Sequence, residues 1–293
     1  MDEATQNVNI FGQVIPGQEL FHYTSMEGLK GVVAGKTLWA TNIEFLNDTT
    51  EFRHGEKVVQ AVVKTRKRSA NGDRNEFFDQ LENYPSIFEA EDVFLVSLSE
   101  AGDLLSQWRG YAPNGGGYSI GFDSEMLAHV GQATDQMHLV RCLYNKDQQK
   151  DLVRYVLDGC LNHWKSRHQE RQATGNRREF SFSPVLAFRV YATFLAASFK
   201  NASFAEEREW RLLGVCSDPK RFCFRSGQST LTPYIELRWG WETKAPDSQP
   251  IASVTVGPCP NPVLSQKSVR RLLAANGAEG VHVKNSEIPF RAW

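Results

Sequence analysis

The sequence predicts an α+β protein, a β-rich core interrupted by a helical insertion. Three observations predict it. Short apolar segments bounded by glycine and polar turn residues recur at both ends of the chain. Residues 150 to 200 change to helical spacing. The C-terminal stretch reads strand, helix, strand. On this reading the chain is a single domain: an N-terminal extension over 1–18, a β-rich core over 19–144 and 205–293, and the insertion over 145–204.

The elements follow in order. Leu20 to Tyr23 is a short apolar strand, and Thr24 with Glu27 has the spacing of a capping box, so a helix runs to about Val33 and stops at Gly35. Lys36 to Ala40 forms a second strand, and 42–51 is polar and turn-like. Val58, Val59, Val62 and Val63 give a helical face, closed by Lys64, Arg66, Lys67 and Arg68 with the charge sign its dipole favours. A helix near Asn75 to Asn83 comes next, then a strand over Val93 to Leu98 and a short helix over Leu104 to Tyr111. Asn114 to Gly117 forces a loop before a strand at Tyr118 to Phe122.

In the insertion, Val153, Val156, Leu157, Cys160, Leu161 and Trp164 share a helix face, and 166–180 reads as a polar, basic link. Ser183-Pro184 opens a helix over Val185 to Lys200 as cap and first residue. Glu209 to Val215 is a strand, and Ile235, Leu237 and Trp239 alternate with Glu236 and Arg238 as a half-buried one. Ile251 to Val256, Ser265 to Ala275 and Val281 to Lys284 complete the chain as β-α-β.

Composition excludes several function classes. In 293 residues, 33 basic and 34 acidic side chains leave a net charge of −1, so no global field holds nucleic acid. Five cysteines with no Cys-x-x-Cys pair fit neither a disulfide framework nor a zinc ribbon. Met1 to Gln18 lacks the apolar core of a signal peptide, and no apolar run approaches the roughly 18 residues of a membrane span. The expectation is a cytoplasmic protein without a membrane partner. The seven histidines never form His-Glu-x-x-His, and neither a Gly-x-Ser-x-Gly elbow nor a Walker loop is present. No metal site is expected.

Chemistry-bearing residues concentrate in three clusters. His22, with Tyr23 and Thr24, ends a strand just before a helix, where backbone amides favour phosphate or polar groups; a structural histidine is the alternative. Ser106, Trp108, Arg109 and Tyr111, followed by Gly116-Gly117-Tyr118, combine aromatic rings with glycines that let a flat ligand approach the backbone; ordinary core aromatics are the alternative. Glu207, Glu209 and Arg211 fall on one face if their segment is a strand, with an exposed ion pair as the alternative. A fourth group, Asn47-Asp48 with Glu51 and Arg53, is first of all a turn signal.

Taken in order, Phe21-His22-Tyr23-Thr24, Asn47-Asp48-x-x-Glu51, Ser106-x-Trp108-x-x-Tyr111 with Gly117-Tyr118, Glu207-x-Glu209-x-Arg211 and Ser286-x-Ile288-Pro289-Phe290 resemble the bacterial family known as domain of unknown function 2971. The order histidine, tyrosine, glutamate is in turn similar to the His-Tyr-Glu class of ADP-ribosyltransferases, which includes diphtheria toxin and the poly-ADP-ribose polymerases. That resemblance implies a split mixed or antiparallel β core and NAD as a substrate. It implies a transferase acting as a toxin or phage-defence effector, with an antitoxin as a further partner. The local basic patches at Lys64–Arg68 and Arg167–Arg178 favour a nucleic-acid acceptor over protein, with a solvated helix end and a loose linker as the alternative. Glu209 would stabilise the charge that develops at the ribose C1, and Glu207 would orient or deprotonate the acceptor. Tyr118 and Tyr111 would stack on nicotinamide. His22, supported by Thr24, would bond the adenosine ribose, and Tyr23, Asn47, Ser106 and Trp108 would complete the NAD site. Arg53 or Arg109 would meet the diphosphate. A nucleotide- or partner-binding module of the same fold, and a metal-dependent nuclease using Glu206, Glu207 and Glu209, are the competing expectations.

Overall fold

The computed structural model describes residues 16–46, 49–84, 86, 88, 93–111, 116–174, 183–227, 229–240 and 249–289. It is a mixed α+β structure with a largely antiparallel sheet. Two compact units emerge, one from 1–42, 94–141 and 205–293, the other from 43–93 and 142–204.

The first unit is built on the sheet. Its strands are β1 (Glu19–Thr24), β2 (Thr37–Asn42), β3 (Val93–Ser99), β4 (Tyr118–Asp123), β5 (His138–Arg141), β6 (Glu209–Val215), β7 (Cys223–Ser226), β8 (Leu231–Arg238), β9 (Ile251–Val256) and β10 (His282–Asn285). They follow the order β10-β9-β4-β1-β3-β2-β8-β7, with β6 pairing to both β3 and β5. β9 and β10 run parallel, as the crossover between them requires.

Helices α1 (Met26–Gly35), α5 (Ser124–Asp135) and α8 (Pro262–Ala275) pack on the sheet. Their apolar stripes meet it in one core: Leu29 and Val33, Leu127 and Val130, and Val269 and Leu273 against Leu20, Val96, Ile120, Leu212 and Val254. The cap of α1 is Ser25, not Thr24: its hydroxyl accepts from Gly28 N at 3.2 Å and donates to Glu27 at 3.1 Å. The helix ends on Lys36, whose left-handed φ of 48° turns the chain into β2.

β3 is where the sheet divides. It pairs with β1 at Ser99, with β2 at Phe94 and Leu95, and also with β6. A strand has two edges, so two of these three partners share one edge end to end. β1 is registered to β3 at a single pair, Phe21 with Ser99, and then departs from it.

The second unit is helical: α2 (Thr49–Arg68), α3 (Asp73–Glu82), α6 (Lys146–Thr174) and α7 (Pro184–Ser198). The valines of α2 are buried, and Phe77 of α3 sits edge-on to Trp164 and Phe188. α2 crosses α7 so closely that a Cβ on Gly55 would meet the Ala196 carbonyl oxygen and lie 2.6 Å from its Cα. α6 continues through 166–174, where the sequence predicted a polar link. Among the described residues, no helix is long and apolar enough to cross a membrane.

Candidate functional site

The site is built where β1 leaves β3. His22 follows the last paired residue, Phe21, and its imidazole Nδ1 donates to the Ser97 carbonyl of β3 at 3.0 Å. A strand carbonyl is thus satisfied by a side chain in place of a neighbouring strand's amide. This bond sets the tautomer: Nδ1 carries the proton and Nε2 is left as the acceptor. Burial lowers the imidazole pKa, the Ser97 bond opposes that shift, and the positive charge of Arg225 adds to it.

Ser99, two residues along the same strand, anchors the glutamate segment. Its hydroxyl donates to the Glu207 carbonyl at 2.7 Å, and Glu100 N donates to the Arg208 carbonyl at 3.1 Å. Glu207 ends a short 3-10 turn over Ala202–Glu207, so Glu207 and Glu209 do not alternate on one strand as the sequence predicted. Arg208 between them has a left-handed φ of 42°, uncommon for a non-glycine residue, and redirects the chain into β6.

Glu209 opens β6 and is paired with Arg211 on the same strand face. Arg211 Nε reaches Oε1 at 2.8 Å and Nη2 reaches Oε2 at 3.2 Å, with the side chains 6% and 3% exposed. The alternative of an exposed ion pair is therefore overturned. Trp210 and Leu212 take the opposite face and enter the apolar core. A bidentate guanidinium holds a carboxylate in one orientation.

The aromatic cluster is a structural knot beside the point where β1 leaves β3. Tyr23 is buried, and its hydroxyl donates to Ala101 O at 2.7 Å and accepts from Leu104 N at 2.9 Å. Burial raises its pKa well above the usual value. Its ring meets Trp108 edge-on at 4.8 Å. Trp108, on α4 (Leu105–Tyr111), donates through Nε1 to Asp103 at 2.6 Å. Asp103 also accepts from Ser286 Oγ at 2.6 Å and from Glu287 N at 2.9 Å, tying down the C-terminal segment. Gly257 is required here, because a Cβ would lie 2.8 Å from the Trp108 ring and 2.9 Å from Gly117 O.

The remaining predicted residues separate. Tyr118 lies in the core with its hydroxyl 2.9 Å from Ser265 Oγ of α8, whereas Tyr111 exposes nearly half its surface. Thr24 packs its hydroxyl against Gly28, on the first turn of α1. Ser106 is half-buried and Arg109 exposed on α4. Arg53 is exposed on α2, in the second unit, and Asn47 lies outside the described residues. Among the described residues no group of three or more His, Cys, Asp and Glu is arranged to hold a metal ion, Glu206, Glu207 and Glu209 included.

Two residues were missed. Arg225, exposed on β7, bonds Thr41 Oγ1 at 2.9 Å, lies 6.0 Å over the Trp39 ring and acts electrostatically on His22. Asp103 holds the aromatic knot. No local pattern marks either: Arg225 sits on a four-residue strand, and Asp103 gathers its partners from across the chain.

The fold and site define a mixed α+β protein whose sheet opens around a tautomer-fixed histidine, with a buried carboxylate–guanidinium pair on a strand joined to the same β3. Residues 107–212 match the model of a family described as "Protein of unknown function (DUF2971)", which supports the likeness to that family. The matched stretch carries Trp108, Tyr111, Tyr118, Glu207, Glu209 and Arg211. No curated protein matches the chain, and no solved structure matches it.

Proposed function

We propose that the chain cleaves NAD and transfers its ADP-ribose to a macromolecular acceptor, as an ADP-ribosyltransferase of the His-Tyr-Glu kind. The observation that carries this reading is the shared anchorage of His22 and Glu207: they bond Ser97 and Ser99 of one strand. At roughly 3.3 Å per residue the anchors are about 7 Å apart along it. A histidine acceptor and an acidic segment thus meet beside the opening in the sheet.

The reaction breaks the bond between the ribose C1 and the nicotinamide nitrogen, and the electron pair leaves on that nitrogen. Positive charge develops at C1. Glu209, fixed by Arg211, is suited to stabilise that charge and orient the 2′-hydroxyl without reorganising. His22 Nε2 accepts from a ribose hydroxyl. The acceptor nucleophile then bonds C1 and gives its proton to Glu207. Stacking on nicotinamide falls to the exposed Tyr111, since the Tyr118 ring is packed in the core. Arg225 joins Arg109 as a candidate for the diphosphate.

The test is nicotinamide release from NAD by the wild type and Glu209→Gln, with RNA, DNA or cell extract added in turn. Release by the wild type alone supports the reading, and the additive that accelerates it gives the acceptor class. Folded wild type that releases none overturns it. The double hydrogen bond between Glu209 and Arg211 favours a second reading, nucleotide binding without turnover, which NAD binding with no product would support.

A further inference from the structure

The helical unit contains a cavity that the NAD reading does not use. It has a volume of about 480 Å³ and is lined by α2 and α6. From α2 come His54, Lys57, Val58, Val62 and Arg66, and from α6 come Lys146, Lys150 and Arg154. The periodicity explains the convergence: Lys146, Lys150 and Arg154 stand four residues apart on one helix face, opposite a stripe of α2.

Five cations line one cavity. Arg66 pairs with Asp158, Lys150 with Asp147 at 3.2 Å and Arg154 with Asp151 at 2.5 Å. Lys57 and Lys146 have no ion-pair partner among the described residues. Two buried nitrogens also lack a hydrogen-bond partner among the described residues, His54 Nε2 and Arg66 Nε. A buried polar nitrogen without a partner is costly, and here two border the same basic cavity. Val58 and Val62 form an apolar floor.

We propose that this cavity binds a small ligand carrying two or more phosphate groups. Excess positive charge and the unsatisfied Arg66 Nε donor, with His54 Nε2 able to donate when it carries the ring proton, call for a multiply charged anion with several acceptor oxygens. The volume lies within the range of small-molecule sites. A single-stranded nucleic acid is the poorer fit, because its usual stacking platform is built from large aromatic rings and this lining holds no Phe, Tyr or Trp, only the His54 imidazole.

The test is calorimetric titration of the full chain with inorganic tripolyphosphate. The wild type is expected to bind one equivalent saturably. Lys57→Glu with Lys146→Glu is expected to weaken binding at least about tenfold. Lys64→Glu with Arg68→Glu makes the same change in net charge at exposed positions outside the cavity, and is expected to change affinity less than about twofold. Circular dichroism establishes that each variant is folded. Absence of saturable binding by the wild type, or equal weakening in both double variants, overturns the proposal. So does an oligonucleotide that binds through Lys57 and Lys146 when tripolyphosphate does not.

Discussion

His22 Nδ1 donates to the Ser97 carbonyl at 3.0 Å, so the imidazole both closes the gap between β1 and β3 and presents Nε2 as an acceptor. The bond requires no positive charge on the ring, and burial disfavours one. As pH falls below 6.5, the ordinary histidine value, the unfolded chain takes up a proton at His22 that the folded protein resists. Its contribution to stability is therefore full above that value and declines on acidification. In urea unfolding between about pH 8 and about pH 5, the stability advantage of the wild type over His22→Gln is expected to shrink as pH falls. An advantage that grows on acidification would mean that the folded protein carries His22 charged.

Asp103 accepts from Trp108, Ser286 and the Glu287 amide. Asp103→Ala leaves those donors without an acceptor, and the loss is expected at about 2–3 kcal/mol. Hydrogen exchange would locate it: the amides of Glu287 and Ile288 should exchange faster, while the core of β4 keeps its protection. Unchanged exchange at Glu287 would show that the C-terminal segment is held by other contacts.

Gly257 and Gly31 make opposite predictions for the same substitution. A Cβ at Gly257 meets the Trp108 ring and a backbone oxygen, so Gly257→Ala should destabilise by about 1–3 kcal/mol. Gly31 lies within α1 with open space around it, so Gly31→Ala should stabilise by about 0.5–1 kcal/mol. Thermal unfolding of the two variants side by side checks the pair, and a common direction of shift would contradict it.

Period and punctuation made much of the fold legible. β1, β3, β4, β6, β9 and α8 fall where apolar runs end on glycine, proline or caps, and parallel β9 and β10 follow from the strand-helix-strand order. α5, β5 and β7 were not read. β5 and β7 are four residues each, too short for a period to register, and α5 begins directly at the end of β4. The cap was displaced by one residue because Thr24 and Ser25 are both good caps, and only backbone geometry chooses between them.

The site was legible as residue types and not as geometry. Glu207-x-Glu209 reads as alternation along a strand, and only the left-handed Arg208 reveals that the chain turns between them. Tyr118 and Trp108 are aromatic in either role, and their hydrogen bonds to Ser265 and Asp103 come from residues remote in sequence or without a motif. The basic cavity was invisible for the same reason: α2 supplies Lys57 and Arg66, and α6 supplies its three cations some ninety positions later.

The buried pair of Glu209 and Arg211 separates structural from chemical roles. Removing one partner leaves the other charge buried without its bidentate contact, so Glu209→Leu alone should lose about 3–5 kcal/mol. Removing both restores neutrality: Glu209→Leu with Arg211→Met should fold with a stability within about 1–2 kcal/mol of the wild type. Urea unfolding of the two single variants and the double variant completes the cycle. If the double variant recovers stability and still releases no nicotinamide, the carboxylate is needed for more than folding. If it fails to recover, the pair is satisfied by surroundings that apolar side chains cannot replace. If it recovers and releases nicotinamide as fast as the wild type, Glu209 has no part in the chemistry.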